Sequence, residues 1–574
     1  MIFLVLTGAD HGENLEDVRR YREHIDGIEL RADYLADPWA PGLEAFLKEA
    51  ALSAILTIRK PEDGGRWKLD EGTREALFRD MLNAAPFAFV DLEGSAVLPG
   101  VEETARRRKA TIIRSFHDFE GVPADLARRL AELPRNPDEI PKAAVMPRSA
   151  ADLVIMLDTF AALEGRKTIL LGMGEYGFPL RVLAPRLGSF LTFASPGGDQ
   201  VAPGLIDPEK LETVYHCRSL GPETRVFGII GNPILHSRSP HIHNCGYRRL
   251  GMDAVYLPFQ TDTAAAFLPV MERLRIGGLS VTVPFKEEVI PLCSEVEEAV
   301  RVIGACNTLV PGPGGLRGYN TDAEGFLAPL RKLYGGAGPG FLSGLGVGSS
   351  GPGFLSGLGA TVLGAGGSAR AAVYALAREG ARVLVLNRSP ERARRLVEEL
   401  CLSMGLPDGR LHWGPLGDAG TGAAPAAEGA GPGTADAFAG ATSSDAGGAT
   451  AADGSAGPGA AAPAGAATAA EASAANAPAA DGAEFRDLLV NTTTLGMHPW
   501  ENRDPMEGRA LEGYATVYDI VYQPRETLLL RRAAAAGCRT LGGMEMLMGQ
   551  ALRQFLLFTG REYPSELFLD GPSR

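Results

Sequence analysis

Thr361-Val-Leu-Gly-Ala-Gly-Gly-Ser-Ala-Arg370 decides the fold of the C-terminal half of this 574-residue chain. A short apolar run enters Gly364, Gly366 and Ala369 at the spacing of a dinucleotide-binding turn between a strand and a helix. Without side chains, Gly364 and Gly366 let backbone N–H groups and a helix N-terminus approach a pyrophosphate. A lone Gly-rich turn says little, but Val383-Leu-Val-Leu386 supplies the second strand in register. About 20 residues past such a turn, a carboxylate ordinarily holds the ribose 2′-hydroxyl of NAD. That place holds Asn387, Arg388 and Ser389, with Arg392 a turn later. Two guanidiniums and a hydroxyl suit a 2′-phosphate, because Arg presents a planar fork to phosphate oxygens. The turn from Gly364 through Ala365, Gly366, Gly367 and Ser368 to Ala369 is therefore expected to hold NADP(H).

Length and charge bound the rest. A chain of 574 residues is too long for one core, and two to four domains are expected. The net charge of −14 argues against nucleic acid or an anionic membrane as partner, and points to small-molecule substrates. Six scattered cysteines (Cys217, Cys245, Cys293, Cys306, Cys401 and Cys538) contain no CxxC pair and no metal-like spacing. They imply a reducing compartment and no metal site. Met1-Ile-Phe-Leu-Val-Leu6 lacks a basic leader, and no run approaches 18 apolar residues, so a cytoplasmic enzyme is expected.

The fold class is α/β. Eight apolar runs alternate with amphipathic stretches over residues 1–220: Phe3–Leu6, Gly27–Leu30, Ala54–Ile58, Ala88–Val90, Ala110–Arg114, Lys142–Met146, Thr168–Leu171 and Phe190–Phe193. Eight βα units in this length predict an N-terminal (β/α)8 TIM barrel. A second α/β pattern, residues 224–330, begins at Val226-Phe-Gly-Ile-Ile230, and a C-terminal helix over about 545–570 is expected to pack on it. The Rossmann domain covers residues 360–544. Residues 335–359, which repeat Gly-Pro-Gly-Phe-Leu-Ser-Gly-Leu-Gly from 338 and from 351, read as a linker. Residues 419–481 are almost wholly Ala, Gly, Pro, Ser, Thr and Asp and read as a disordered insertion. Lengthening a loop from eight to about 64 residues costs roughly 1.8 kcal/mol of closure entropy, which a fold can carry.

In a parallel barrel, catalytic groups project from the C-terminal strand ends. Those ends carry Glu29, Arg31, Arg59, Asp91, Glu93, His117, Lys142 and, after the seventh strand, Arg181. Each alone is an ordinary solvated or capping residue. Their coincidence on six strand ends points to chemistry. Lys142, partly buried beside Arg31 or Arg59, would have a lowered pKa and could attack a ketone as a neutral amine. His117, one strand earlier, could move the proton beside the resulting imine.

Glu29-Leu-Arg31, Ser115-Phe-His-Asp118 and Pro141-Lys-Ala-Ala-Val-Met-Pro147 closely resemble type I 3-dehydroquinate dehydratases. The resemblance implies that Lys142 forms a Schiff base with the C3 ketone of 3-dehydroquinate. His117 then acts as general acid and base, expelling the C1 hydroxyl as water. It also implies that Glu29, Arg31, Arg59 and Arg181 hold the substrate, with Glu93 the candidate to orient His117. The family's acidic residue after the third-strand arginine corresponds to Glu62 or Asp63. Its last loop, normally Ser-Ala-Pro-Gly-Gln, is Val201-Ala-Pro-Gly-Leu205 here, with Ser195 and Gln200 nearby. Losing one such contact costs about 0.5–1.5 kcal/mol, enough to weaken binding without abolishing chemistry.

Downstream, Gly231-Asn-Pro-Ile-Leu-His-Ser-Arg-Ser-Pro240 offers Ser237 and Ser239 to a carboxylate. Thr282-Val-Pro-Phe-Lys286 and Asn320-Thr-Asp322 supply a lysine and an acid. An isolated Lys–Asp pair is ordinarily a surface ion pair, but facing a nicotinamide it is a proton-transfer device for an alcohol and a ketone. With Ala305-Cys-Asn-Thr308, Val490-Asn-Thr-Thr-Thr-Leu-Gly-Met497, Tyr518-Asp-Ile-Val-Tyr522 and Gly543…Gln550, this half resembles shikimate dehydrogenases along its whole length. The resemblance implies that Lys286 and Asp322 are catalytic. Ser237, Ser239, Thr282, Asn307, Tyr522 and Gln550 would bind shikimate together with Asp322. Thr492, Met497 and Gly543 would lie near the nicotinamide. The order of the halves matches the bifunctional enzymes best known from plants, which implies conversion of 3-dehydroquinate to 3-dehydroshikimate and then, with NADPH, to shikimate. Two alternatives are a dehydrogenase with an impaired barrel, and a pathway scaffold using the low-complexity insertion.

Overall fold

The computed structural model describes residues 1–197, 203–335, 353–417 and 483–564. The sequence expected as a linker over 335–359 falls mostly outside the described residues, and the 419–481 insertion wholly outside them. Two compact units form: Met1–Leu345 with Met544–Arg574, and Gly346–Gly543.

The first unit begins with eight parallel strands: β1 (Ile2–Leu6), β2 (Gly27–Arg31), β3 (Ser53–Thr57), β4 (Phe89–Glu93), β5 (Thr111–Asp118), β6 (Ile140–Val145), β7 (Ile169–Gly172) and β8 (Thr192–Ala194). Their order, β7-β6-β5-β4-β3-β2-β1-β8, curls into a nearly closed barrel, with Thr168 and Ser189 bridging the last gap. Side chains two apart on a strand share a face, so alternate residues point inward. The inward apolar set includes Phe3, Ile55, Ile113, Ile140, Ile169 and Leu191, packed among themselves. A separate set, including Leu4, Leu30, Leu56 and Val145, packs outward against the helices. Two positions along from Ile140 and Ile113, the same inward faces carry Lys142 and Ser115, which are register partners across β5 and β6. Strand alternation thus stacks a polar layer on an apolar one. The register places Lys142 within β6 rather than at its end, and extends β5 through His117.

The same unit continues into a six-stranded sheet ordered β10-β9-β11-β13-β14-β12. Its strands are β9 (Arg225–Gly231), β10 (Ala254–Gln260), β11 (Leu279–Val281), β12 (Cys293–Val296), β13 (Thr308–Gly312) and β14 (Gly315–Tyr319). The C-terminal helix Gly543–Thr559 lays Leu547, Leu552, Phe555 and Phe558 against Phe227, Tyr247 and Tyr256. Barrel and sheet pack directly. Asp262 accepts from the Ala150 N–H (3.0 Å) at the start of the helix Ala150–Ala162, and Arg273 forms a two-point pair with Asp158 (2.6 and 3.0 Å).

The second unit is a parallel sheet of β15 (Gly359–Leu363), β16 (Arg382–Asn387), β17 (Leu411–Pro415), β18 (Leu488–Asn491), β19 (Thr516–Asp519) and β20 (Arg539–Leu541). The order β17-β16-β15-β18-β19-β20 is the doubly wound 3-2-1-4-5-6 arrangement, whose ligand crevice opens where the order reverses, between β15 and β18. Among the described residues, no helix is long and apolar enough to cross a membrane.

Candidate active sites

The barrel site is organised by a buried carboxylate. Asp91 of β4 is 1 % exposed. Its Oδ2 lies 2.7 Å from Lys142 Nζ, and its Oδ1 lies 2.8 Å from Arg59 Nη2 and accepts from Ser115 Oγ at 2.6 Å. Glu29 stands 3.7 Å from Lys142 and accepts from Thr57 Oγ1 at 2.8 Å. Burial disfavours the Asp91 charge, but the adjoining Lys142 and Arg59 cations outweigh it and hold the carboxyl below its ordinary range. Burial likewise opposes the Arg59 charge, and Asp91, Glu29 and Glu93 together raise its pKa. Two buried cations are thus held by acids on β4 and β2.

His117 is held well below the ordinary imidazole range by burial, then by the positive charges of Arg59 and Lys142. It is therefore neutral and can accept a proton. Its nearest carboxylate is Asp63, with Nδ1 3.9 Å from Oδ1, too long for a hydrogen bond. Burial pushes the Asp63 carboxyl up. Glu62 is exposed and stands 3.7 Å from Lys60, so of the two acids open to the sequence reading only Asp63 faces the site. One expectation is corrected. Glu93 does not orient His117, because it pairs with the fully buried Arg74. Lys142 touches Asp91 and Glu29, and Arg59 holds the other oxygen of the same Asp91 carboxylate.

Glu29, Arg31, Arg59, Asp63, His117, Lys142 and Arg181 face one cavity, walled by Phe119, Met173, Phe193 and Leu205. The Lys142 ammonium lies 4.3 Å from the Phe193 ring centroid. Arg31 is fixed by a two-point contact with Asp33 (3.0 and 2.8 Å), and Arg181 donates to the Gly172 carbonyl at 2.7 Å. Leu205 lines the cavity, whereas Gln200, Val201 and Ala202 lie outside the described residues. Ser195 is fully buried.

In the adjoining sheet, Lys286 Nζ lies 2.5 Å from Asp322 Oδ2. Asn307 donates to the other oxygen, Oδ1, at 2.9 Å. Asp322 opens the helix Asp322–Tyr334 and is 6 % exposed. Ser237 Oγ accepts from the Ser239 N–H at 3.2 Å, which shapes the loop after β9. Thr282 lies against Gly231, where an added Cβ would stand 2.6 Å from its methyl. Gln550 lies on the C-terminal helix beside Gly325, where an added Cβ would meet its backbone N at 2.6 Å. Lys286, Asn307 and Asp322 are thus joined directly.

The second unit holds the turn. Gly364 follows β15 with φ of +110°, a conformation that an L side chain rarely adopts, and a Cβ there would approach Thr492 Oγ1 to 2.6 Å. Thr492, after β18, donates to the Leu363 carbonyl at 2.6 Å across the point where the strand order reverses. At Gly366 and Gly367 an added Cβ would meet nothing within 4 Å, so the turn is open. Gly366 caps the helix Gly367–Arg378 without a side-chain bond, which leaves its first N–H groups facing outward. Open space, free donors and the close-packed Ala369 fit a pyrophosphate. Arg388 and Arg392 are exposed at the end of β16, and neither forms an ion pair with another described residue. Asn387 donates to the Ser389 carbonyl at 3.0 Å, which tightens the same corner. Ala365 and Ser368 are half-buried in the turn, Met497 and Tyr522 are exposed, and Gly543 sits where a Cβ would strike the Ile520 carbonyl at 2.1 Å.

Residues 2–222 match the model of the type I 3-dehydroquinase family, and residues 229–309 match the substrate-binding domain of shikimate dehydrogenase. The chain is 29% identical to the bifunctional 3-dehydroquinate dehydratase/shikimate dehydrogenase, chloroplastic, of Arabidopsis thaliana, over 96% of this chain and 81% of that one. It is 30% identical to a shikimate dehydrogenase (NADP(+)) of Methanothermobacter thermautotrophicus, over 61% of this chain and 97% of that one. A solved dehydroquinate dehydratase and shikimate dehydrogenase from S. pombe aligns over 99% of this chain and 97% of that chain, with 22% identity and a TM-score of 0.39. The chain belongs to the bifunctional family in which a type I 3-dehydroquinase precedes a shikimate dehydrogenase.

Proposed function

We propose that the chain dehydrates 3-dehydroquinate to 3-dehydroshikimate in the barrel through a Lys142 imine, and then reduces that product to shikimate with NADPH. The observation that carries the first step is a buried lysine inside a barrel, with its ammonium on Asp91 and a neutral His117 facing the same cavity. The Lys142 ammonium gives up one proton, the free amine adds to the C3 ketone, and the former ketone oxygen takes up protons and leaves as water, so that the imine keeps the positive charge. His117 takes the proton from the adjacent carbon and returns it to the departing C1 hydroxyl, which leaves as water. Hydrolysis of the imine then frees product and lysine. Asp91, already placed against the ammonium, offsets the positive charge that the protonated imine keeps at the same point. Arg31, Arg59, Arg181 and Glu29 bind the carboxylate and hydroxyls, with Asp63 the carboxylate nearest His117.

For the second step, NADPH supplies a hydride to the ketone carbon when bound. Lys286 gives a proton to the ketone oxygen, and Asp322 and Asn307 keep the ammonium in place. Ser237 and Ser239 hold the substrate carboxylate, with Thr282, Tyr522 and Gln550 on its hydroxyls. Gly364 to Ala369 would carry the pyrophosphate and Asn387, Arg388, Ser389 and Arg392 the 2′-phosphate, and Thr492, Met497 and Gly543 would lie beside the nicotinamide. The functional divisions we assign are 1–220, 224–330 with the C-terminal helix, a linker over 335–359, and 360–544 around the 419–481 insertion. We place the enzyme in the cytoplasm, a reading that the six unpaired thiols support.

Borohydride added with 3-dehydroquinate should attach the substrate skeleton irreversibly to Lys142, found by peptide mass spectrometry. Folded protein that stays unmodified at Lys142 rejects the imine. A second reading, a working dehydrogenase with a slow barrel, draws on Leu205, an apolar wall where the related loop carries a polar contact. Separate assays of the two steps distinguish the readings.

A further inference from the structure

A chain of buried donors runs beneath the Lys286–Asp322 pair. Tyr256 of β10 donates its hydroxyl to Ser280 Oγ at 2.6 Å. Ser280 of β11 donates in turn to Gln554 Oε1 at 2.9 Å. This turns Gln554 Nε2 toward Thr308 Oγ1 (3.0 Å) and the Asn307 carbonyl (3.3 Å). Thr308 gives its proton to Asn307 Oδ1 at 2.9 Å, which also accepts from the Thr321 backbone N–H at 2.8 Å, and Asn307 Nδ2 faces Asp322 Oδ1 at 2.9 Å and Thr321 Oγ1 at 3.0 Å. Every member from Tyr256 to Asn307 is at most 4 % exposed.

The order of donation matters because a hydroxyl has one proton to give and an amide has two orientations. Tyr256 occupies one lone pair of Ser280 Oγ and so directs the serine proton to Gln554. The Gln554 carbonyl must then face Ser280, and its NH2 must face Thr308. Flipping the Gln554 amide would oppose its Oε1 to the Asn307 backbone carbonyl, which is costly in a buried network. The imidazole of His243 stacks parallel on the Tyr256 ring at 4.2 Å and keeps the phenol in place.

We propose that Tyr256 and Ser280 are positioning residues for the reduction: acting through Gln554 and Thr308, and alongside the Thr321 N–H, they hold the Asn307 amide in the orientation that donates to Asp322 and steadies the Asp322–Lys286 pair. The inference rests on the reading of that pair as the proton-delivery site. Neither residue touches Lys286 or Asp322 in the contacts described. Their effect is on how often the pair stands ready, which is a kcat effect.

Full-length Tyr256→Phe, Ser280→Ala and the double variant test this, with kcat and KM measured for NADPH-dependent reduction of 3-dehydroshikimate. Dehydration of 3-dehydroquinate by the same preparations reports the state of the barrel. Each single variant should lose about three- to tenfold in kcat with KM within about twofold, the scale of one buried hydrogen bond. Because the residues act in series, the double variant should be no worse than the poorer single. Losses that multiply in the double variant would overturn the proposal. So would a rise in KM at constant kcat, which would mean that Tyr256 works through Ser239, also within hydrogen-bonding reach of its hydroxyl. A kcat loss matched by an equal loss of barrel turnover would overturn it as well. A wild-type chain that reduces no 3-dehydroshikimate refutes the reading of the pair itself, an outcome separable from all of these.

Discussion

Replacing Asp91 by Asn removes one negative charge from between two buried cations and changes almost no volume. Lys142 at 2.7 Å and Arg59 at 2.8 Å each interact with it. At an effective dielectric of about 20, a pair at such a distance gains roughly 6 kcal/mol before desolvation is counted. Desolvation offsets most of this, and breaking a buried pair by losing one partner costs about 3–5 kcal/mol in net terms. That corresponds to a fall of at least about 6 °C in the melting temperature of a domain of this size. Dehydratase kcat should fall about a hundredfold or more, because the protonated imine loses the charge arranged against it. Differential scanning fluorimetry and a direct assay of 3-dehydroshikimate formation read the two effects. Adding Lys142→Met to Asp91→Asn should recover part of the stability, since one orphaned cation disappears with it, while activity stays lost. If Asp91→Asn melts within about 2 °C of wild type and keeps its kcat within about threefold, the electrostatic account of the barrel is wrong.

Three other outcomes follow from the same contacts. The His117 pKa lies well below 6.5, so the base form persists on acidification; dehydratase kcat/KM should stay flat through pH 6.5 and fall only at clearly lower pH, and an acid limb centred near 6.5 would contradict the neutral imidazole. Burial raises Asp519 from 3.8 to about 6, so its stabilising contribution is full below pH 3.8 and is lost as pH rises through 6. Wild type should therefore lose about 1 kcal/mol relative to Asp519→Asn between pH 5 and 7, measured by thermal inactivation of the dehydrogenase; a difference independent of pH counts against it. Changing Arg388 and Arg392 together to Ala should raise the KM for NADPH by about tenfold or more while leaving that for NADH nearly unchanged. Equal effects on both cofactors would remove the 2′-phosphate assignment.

Much of the fold is written in local pattern. The eight apolar runs of the barrel and the glycine turn after β15 are short, contiguous signals, and each strand lies within a few residues of its expected place. Site residues within one motif, such as Lys142, His117 and Asp322, are legible for the same reason. Pairings across strands are not. Asp91 stands 51 positions from Lys142, and only the registers of β4, β5 and β6 bring them together. Arg74, which takes Glu93 away from His117, reads locally as one more polar residue of an amphipathic helix. Whether Glu62 or Asp63 faces the site depends on a single turn over Pro61–Asp63. Gln554 lies 246 positions from Thr308. One signal could have found it: it follows Gln550 by one helical turn, on a helix otherwise rich in apolar residues.

The central claim is that one chain runs the two reactions in sequence. The most direct measurement supplies 3-dehydroquinate and NADPH together to purified protein and follows NADPH absorbance. The account predicts steady oxidation of NADPH and accumulation of shikimate. Lys142→Ala should stop it with 3-dehydroquinate but not with 3-dehydroshikimate, and Lys286→Ala should stop it with both. No loss of NADPH from 3-dehydroquinate, in protein that oxidises NADPH readily with 3-dehydroshikimate, would contradict it.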